Sequence, residues 1–532
     1  MTLWQEVLNV QNIGTEDHFL SLGGNSIKQI SLRSKIRMAF NVNLTIEDLF
    51  LCPTIRSQAS HILTLPVLES IAGKNEIVPI STNENGYSIS NEQLRIWLAS
   101  QFEDHSKANN MSYTYHVNGD FKVELFKKAL QEIVNRYEIL RTGFEVNEAG
   151  EVIQKIVDEI IIDTIFDYKI VDENFDENDA KEHLKNFNDQ AFDLKKAPLL
   201  KFLLIKISDN KFILSTLMHH IIGDYTSDKI IISEVMRLYK AYEKGSSIQL
   251  STVHVQYKDY AYWIKNRLTN NEFSSEKEFW ENYLENVKQQ PKWYKNSNTD
   301  NFDGAYYSKV LSSEFIGEIK KYCVDHNYNL MGIMTIALGI LIHKIGGQND
   351  IIIGAPINLR NHPNLIGQVG LYLNMAPYRV KINGQNKIKE IIDETIKNQV
   401  KIFDNSFYPF DSIIEDFDHK HNFNLMDRID LYVNFINHEE ANDNHSLENI
   451  SFVPQEKIIK RSKFPICFYI NNNQEEVSYF IEYQKNVFSD LEISKLGERF
   501  LLCLKQIIDN QYETVEKISL IDKKSIPTFS LK

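Results

Sequence analysis

The first 65 residues carry apolar positions at helical spacing. Four of them lie on one face of a first predicted helix: Leu3, Trp4, Val7 and Leu8. After a loop rich in turn-forming residues, a second helix is predicted from Ser26 and a third from about Thr54. This segment is long enough for a three- or four-helix bundle. Residues 66–86, which contain two prolines and a polar turn cluster, are predicted to be a linker.

The remaining region alternates between two kinds of apolar pattern. Short continuous runs at Phe202–Ile205 and Ile351–Ile353 predict buried strands. Longer runs with helical periodicity cover Leu125–Tyr137 and Leu330–Ile342. This alternation predicts helices that cover sheets. A region of about 430 residues exceeds one ordinary core, so we expect it to divide into two lobes, with the break close to residue 260.

Composition and charge exclude several classes of protein. The formal net charge of −14 argues against a nucleic-acid surface and discourages contact with anionic membranes. No run of about 18 apolar residues and no N-terminal signal peptide are present, so we expect neither a membrane span nor secretion. The four cysteines are scattered without a CxxC pair, which argues against a zinc or redox centre. We therefore expect a cytoplasmic protein with free thiols.

The segment Met218–Ser227 contains two adjacent histidines and a carboxylate, Asp224, four residues after the second. Histidine suits proton transfer near neutral pH. Side chains of successive strand residues point to opposite faces, so His219 and His220 cannot both face one cleft if the strand before them continues. At least one of the two is then structural, and both could simply cap a strand. Asp224 could act as a general base or as a brace, and its usual pKa of about 4 favours the brace.

Ser26 follows two glycines and an asparagine and comes directly before the second predicted helix. Serine is a preferred N-cap residue, so a purely structural role accounts for it. It could also be an attachment site, since glycines permit close approach to the backbone and a helix N-terminus favours a phosphate. The two roles are compatible.

The sequence Asp17–Ile27, DHFLSLGGNSI, closely resembles the carrier signature of nonribosomal peptide synthetases. The resemblance implies that Ser26 bears a 4'-phosphopantetheine group, attached by a phosphopantetheinyl transferase. The thiol of that group would hold an aminoacyl or peptidyl thioester. The first residues of a typical carrier helix are absent, so we expect the chain to be a piece of a longer assembly line.

Beyond the linker, the chain resembles the condensation domain of the same synthetases, a member of the chloramphenicol acetyltransferase-like superfamily. Seven segments match its motifs in order: Ser88–Trp97, Arg136–Phe144, His219–Asp224, Tyr257–Trp263, Gly354–Arg360, Ile366–Arg379 and Tyr408–Asp411. Two departures stand out. Tyr137 replaces the usual histidine of the second motif, and Tyr225 replaces the glycine that usually follows Asp224.

Together the resemblances imply a small all-α carrier, a four-helix bundle, joined to an α/β, two-lobed, chloramphenicol acetyltransferase-like domain with a V-shaped cleft between its lobes. The expected parts are carrier 1–65, linker 66–86, first lobe 87–260, second lobe 261–517, and the start of a linker to a following adenylation domain at 518–532. The implied reaction joins a carrier-bound donor thioester to the amine of an aminoacyl thioester on an acceptor carrier.

The resemblance also assigns roles to residues. His220 would be catalytic, accepting the proton of the amine or orienting it, and His219 would pack inside its lobe. Asp224, next to Gly223 in the same motif, would be structural and held by an arginine, for which Arg141 is our candidate. No metal is implied.

Asn374 resembles an asparagine that faces the reaction channel in this family. It could equally be a polar residue of a crossover.

Three rival functions share the fold. An epimerisation domain has the same histidine motif, and Asn25-Ser26-Ile27 leans slightly towards it, but no EGHGRE-like acidic motif is found. A non-catalytic recruitment domain is disfavoured because both histidines are present. A coenzyme A-dependent acyltransferase is disfavoured by the attached carrier. The DxxxxD motif of heterocyclisation domains is not seen.

Overall fold

The structure is a computed structural model. It describes residues 1–8, 10–24, 26–42, 44–66, 76–101, 107, 109–171, 177–295, 303–437, 450–454, 462–472 and 477–521.

Four helices form the N-terminal unit: α1 Thr2–Leu8, α2 Ser26–Phe40, α3 Ile46–Leu51 and α4 Ile55–Ile62. Their buried core includes Trp4, Phe19 and Leu32. The three predicted helices are present, and the short α3 is additional. Its boundaries come from local hydrogen bonds, because Thr45 forms a capping box with Asp48.

The first lobe is built on a five-stranded sheet in the order β12-β2-β7-β6-β5, in which β12 is Ile450–Pro454, and on a small sheet in the order β1-β4-β3. Its strands are β1 Tyr87–Ser88, β2 Asn110–Gly119, β3 Thr142–Val146, β4 Val152–Ile156, β5 Phe166–Ile170, β6 Leu200–Ser208 and β7 Lys211–His219. Its helices are α5 Asn91–Ala99, α6 Val123–Arg136, α7 Glu177–Asn188, α8 Tyr225–Glu243 and α9 Tyr257–Thr269.

The second lobe contains a six-stranded sheet in the order β10-β9-β11-β13-β14-β8. These strands are β8 Gly304–Val310, β9 Asp350–Asn358, β10 Leu373–Lys381, β11 Ile429–Asn437, β13 Ile466–Asn472 and β14 Val477–Gln484. The helices are α10 Ser274–Tyr283, α11 Ser313–His326, α12 Leu330–Gly346, α13 Ile388–Asp404, α14 Phe410–Lys420 and α15 Asp490–Asp509. The predicted α/β layering is present in both lobes.

One strand crosses between the lobes. Strand β12, Ile450–Pro454, follows a strand of the second lobe along the chain but pairs antiparallel with β2 of the first lobe, with Ile450 opposite Gly119. The next strand, β13, returns to the second-lobe sheet. The chain therefore passes between the lobes more than once.

Helix α12 is apolar almost all round and its side chains are buried, as expected for a core helix. Within the described ranges, no single helix has the length and apolar character needed to cross a membrane. Helices α11 and α12 meet that test only as a pair, and the pair is bent by 107°.

Candidate active site

The two histidines lie where a strand gives way to a single helical turn. Strand β7 ends at His219, and His220–Ile222 form a 3-10 turn before helix α8. His219 is fully buried, and its Nδ1 accepts the backbone N–H of Ile221 at 3.3 Å. Its Nε2 lies 3.5 Å from the hydroxyl of Ser100. His219 therefore packs inside the first lobe and accepts a backbone hydrogen bond from the turn that follows the strand.

His220 is half-buried and is held by two backbone carbonyls. Its own N–H donates to the carbonyl of Asn109 at 2.9 Å, and its ring Nδ1 lies 2.7 Å from the carbonyl oxygen of Gly223. A carbonyl can only accept, so Nδ1 must carry the proton. In the neutral ring this leaves Nε2 as the nitrogen that can accept a proton from a substrate.

Both rings are neutral at physiological pH. Burial lowers the pKa of His219 to about 3. Burial, together with the nearby ammonium group of Lys463, lowers the pKa of His220 to about 4. A neutral His220 can accept a hydrogen bond from an amine, which a protonated ring cannot do.

Asp224 is a buried N-cap. One of its carboxylate oxygens accepts the backbone N–H and the hydroxyl of Ser227, both at 2.8 Å. The guanidinium of Arg360 grips the same carboxylate with two bonds of 2.7 and 2.9 Å, and the N–H of Tyr372 adds a third donor at 3.1 Å. Burial alone would raise the pKa of Asp224, but the Arg360 charge and these bonds lower it.

The expected pairing of Asp224 with Arg141 is wrong. Arg141 instead donates to the backbone carbonyls of Val134, Asn135, Val157 and Asp158. It therefore satisfies carbonyls near the end of helix α6, which lack helical partners.

The true partner, Arg360, ends the Gly354–Arg360 motif just after strand β9. The motif is recognisable in the sequence, but nothing in the sequence pairs its arginine with Asp224. Because Asp224 caps a first-lobe helix and Arg360 belongs to the second lobe, their ion pair fastens the two lobes together beside the histidines.

A side chain at Gly223 would crowd the end of the Met218 side chain. A Cβ atom there would lie 2.9 Å from both Sδ and Cε of Met218 and 3.2 Å from Cβ of Ser227.

Asn374 is buried, and both the nitrogen and the oxygen of its side-chain amide form hydrogen bonds with backbone groups. It donates to the carbonyls of Ser406 and Tyr408 at 2.9 and 2.8 Å, and accepts the N–H groups of Met375 and Phe410 at 2.9 and 3.1 Å. It therefore braces the Tyr408–Asp411 motif against strand β10. This arrangement fits a structural role and leaves no amide group directed at a channel.

Tyr225, which stands in place of the usual glycine, begins helix α8 directly after Asp224. Its ring packs against the ring of Tyr113 with centroids 5.8 Å apart, and the ammonium group of Lys229 lies 5.3 Å from its centroid. The side chain is half-buried in this cluster of sheet and helix residues.

Ser26 is the first residue of the 15-residue helix α2, and its side chain lies outside the described residues. Gly24, two residues before Ser26, packs closely against the Phe19 ring: a Cβ atom on Gly24 would lie 2.2 Å from that ring. The helix rests on the second lobe through an ion pair of 2.7 Å between Arg33 and Asp404. Over the ranges described above, no group of three or more His, Cys, Asp or Glu side chains could hold a metal ion.

The ion pair can be tested with a double-mutant cycle. Removing Arg360 alone leaves a buried carboxylate without its charge partner, so Arg360→Ala should lower the free energy of unfolding by about 3–5 kcal/mol. Urea unfolding followed by circular dichroism should show strong coupling between Asp224→Ala and Arg360→Ala. The matched pair Asp224→Ala and Arg141→Ala should be additive within about 0.5 kcal/mol. Strong coupling in the second cycle, and none in the first, would contradict this assignment.

Two family models cover nearly the whole chain. Residues 83–526 match the condensation domain, and residues 1–62 match the phosphopantetheine attachment site. Among curated relatives, bacitracin synthase 3 of Bacillus licheniformis is 27% identical over 98% of this chain and 8% of the relative. Gramicidin S synthase 2 of Aneurinibacillus migulanus is 26% identical over 98% of this chain and 11% of the relative. The chain thus spans about a tenth of the length of these proteins.

Solved structures with the same fold include two of different kinds. The X-domain in its complex with OxyB from teicoplanin biosynthesis aligns with a TM-score of 0.72 at 17% identity, over 85% of this chain and 99% of that chain. The first condensation domain of the calcium-dependent antibiotic synthetase, in complex with a substrate analogue, aligns with a TM-score of 0.70 at 13% identity. That alignment covers 83% of this chain and 100% of the other chain. These likenesses confirm the expected two-lobed fold. The chain belongs to the condensation-domain family and carries a phosphopantetheine attachment domain ahead of its two lobes.

Proposed function

We propose that this chain forms an amide bond between a donor acyl group and an acceptor amine, each held as a thioester on a carrier. The observation that carries the proposal is the setting of His220: a half-buried, neutral imidazole with Nδ1–H fixed on the carbonyl of Gly223 and Nε2 left to accept a proton. The lobe-to-lobe ion pair at Asp224 fixes the turn on which this ring is mounted.

The roles of the residues follow from the atoms that move. The amine nitrogen attacks the thioester carbonyl, the C–N bond forms and the C–S bond breaks. His220 orients the amine through Nε2 and accepts the proton that it loses, and that proton ends on the departing sulfur. Alignment of the two reactants supplies up to about 7–11 kcal/mol of the barrier reduction. A positioned base adds about 10²–10⁴-fold in rate.

The carrier unit fits a phosphopantetheine group. Ser26 opens a long helix, whose N-terminal N–H groups and dipole favour a phosphodiester. When bound, the group supplies a long arm with a thiol for thioester formation. We infer that a phosphopantetheinyl transferase modifies Ser26, that the cis carrier serves as donor, and that an adenylation domain loads the acceptor. A cytoplasmic setting, where the thiols stay reduced, suits this chemistry.

Replacement of His220 by alanine tests its role in the reaction. His220→Ala should fold normally, because the ring is half-buried and its backbone bond to Asn109 is retained, but should lower single-turnover amide formation by about 10²–10⁴-fold. The assay loads Ser26 with an aminoacyl-pantetheine, adds a second loaded carrier and measures dipeptide by mass spectrometry. Ser26→Ala is the control, since it blocks donor loading.

Unchanged turnover in His220→Ala would contradict both the base and the positioning role. Loss of α-deuterium without dipeptide in the unaltered chain would point to epimerisation. Thioester substrates that stay intact would point to a recruitment domain of the same fold.

The lowered pKa of His220 predicts a particular pH dependence. The ring is neutral above about pH 4, so its protonation should produce no loss of activity between about pH 5 and 8. Any acid limb in that range belongs to the acceptor amine, and its midpoint should follow the amine's own pKa when the acceptor is changed. A limb near pH 6.5 that is independent of the acceptor would contradict the neutral-histidine assignment.

The contact between Arg33 and Asp404 predicts how the cis carrier is seated. Arg33→Asp should weaken donor delivery and lower the single-turnover rate when the donor is tethered. The double variant Arg33→Asp with Asp404→Arg should restore the rate, because the charges are exchanged. A small soluble donor thioester should react equally with all variants. Failure of the double variant to recover would show that this contact does not guide donor delivery.

A further inference from the structure

Part of the linker ahead of the first lobe is built into the lobes. Although the sequence predicts a linker over residues 66–86, Ile77 is only 1% exposed and belongs to the buried core of the lobes. The side chain of its neighbour Val78 is exposed. Burial of the Ile77 side chain removes apolar surface from water and therefore favours attachment of this segment.

Each lobe contributes one hydrogen bond to the same segment. Asn364, in a short turn of the second lobe, donates its side-chain N–H to the carbonyl of Ile77 at 2.9 Å. Asp259, in the first turn of first-lobe helix α9, accepts the backbone N–H of Ile80 at 2.9 Å. Asp259 is buried, so little water competes for this bond. Residues 76–80, which we call the strap, are thus bound to both lobes.

The turn that carries Asn364 is itself held on several sides. His362 accepts the backbone N–H of Asn364 at 3.2 Å through Nδ1, and its ring lies against Trp263 of helix α9 with centroids 5.9 Å apart. Leu365 is fully buried. Helix α2 of the carrier lies close to the same turn. The strap and the carrier therefore meet the lobes at one place.

The strap limits how far the carrier can travel. Leu65 still packs on the carrier core, whereas Ile77 is buried among the lobes. Even when fully extended, the chain between these two residues spans at most about 40 Å. Without the strap, the tether would run on to Tyr87 at the start of strand β1, and its limit would be about 75 Å.

These lengths can be compared with the size of the lobes. A compact unit of about 430 residues is about 60 Å across. A carrier tethered at Ile77 therefore cannot travel to the far side of the lobes, whereas a carrier tethered at Tyr87 could. A shorter tether also keeps the carrier more concentrated at its seat, because effective concentration falls roughly as the −3/2 power of tether length.

We propose that the strap is the pivot from which the cis carrier delivers its donor, and that Asn364 is a positioning residue that holds this pivot. The strap confines the carrier to one side of the lobes and raises its local concentration there. This inference rests on the proposed amide-forming function.

The test compares a tethered donor with a soluble donor in the full chain. Ile77→Ser and Asn364→Ala together should release the strap, and Val78→Ser is the matched control in the same segment. Single-turnover dipeptide formation is measured with a donor on the arm of Ser26 and, separately, with a small soluble aminoacyl thioester. With the tethered donor the double variant should lose about threefold in rate, since the tether nearly doubles in length. With the soluble donor it should match the unaltered chain.

A second perturbation leaves every contact of the strap in place. Insertion of about ten glycine and serine residues within 67–75 should also lower the tethered rate by about threefold and spare the soluble donor. Asn364→Ala alone, which removes a single hydrogen bond, should give a smaller loss in the same direction. The proposal is overturned if the double variant slows both donors by one factor, or if neither the double variant nor the insertion changes the tethered rate.

Amide hydrogen exchange in the chain without substrates measures the attachment itself. The N–H of Ile80 should exchange slowly in the unaltered chain and in Val78→Ser, and at least about tenfold faster in the double variant. Fast exchange of this N–H in the unaltered chain would also overturn the proposal. If the unaltered chain forms no amide, the proposed function fails, whereas the exchange still decides whether the strap is bound to both lobes.

Discussion

The buried ion pair between Asp224 and Arg360 is the interaction on which the site depends. It joins the N-cap of a first-lobe helix to a residue that follows a second-lobe strand. The carboxylate receives five hydrogen bonds, from Arg360 twice, from Ser227 twice and from Tyr372. Such a pair is costly to bury and costly to break, so it specifies one arrangement of the two lobes. The turn that carries His220 inherits that arrangement.

The adjacent histidines illustrate how one local sequence serves two purposes. The strand ends at His219, so this ring is committed to the interior, where it accepts a backbone N–H and lies against a serine. The helical turn that follows rotates His220 out of the strand pattern and fixes its Nδ1 on a carbonyl. One ring maintains the end of the strand and the other presents a proton acceptor. Because both rings are neutral, each keeps one ring nitrogen that can accept a hydrogen bond.

The second lobe acts on the first at three separated points. Strand β12 extends the first-lobe sheet, Arg360 grips Asp224, and Lys463 reaches Asn109. Each contact lies on or beside a segment that leads to the histidine turn. A change in the angle between the lobes would therefore alter the position of the His220 ring. It would also alter the distance between the lobes beside that ring.

Most of the secondary structure, and part of the candidate site, could be predicted from the sequence. Apolar periodicity predicted the carrier helices and the α/β layering, because 3.6-residue and two-residue repeats reflect burial on one face. The short helix α3 escaped notice, since six residues are too few to show a period. Strand alternation predicted that the two histidines would differ. They do differ, but for another reason: the strand ends at His219, and His220 begins a 3-10 turn.

The chain by itself thus determined the elements, the order of its motifs and the residue types that can transfer a proton. Tertiary structure alone decided the partners. From the sequence alone, either Arg141 or Arg360 could be the partner of Asp224. In the fold, Arg360 binds the carboxylate, and Arg141 donates to backbone carbonyls. The position of Lys463 beside His220 has no local signature at all. Contacts between residues more than a hundred positions apart depend on how sheets pack and cross, which local periodicity does not encode.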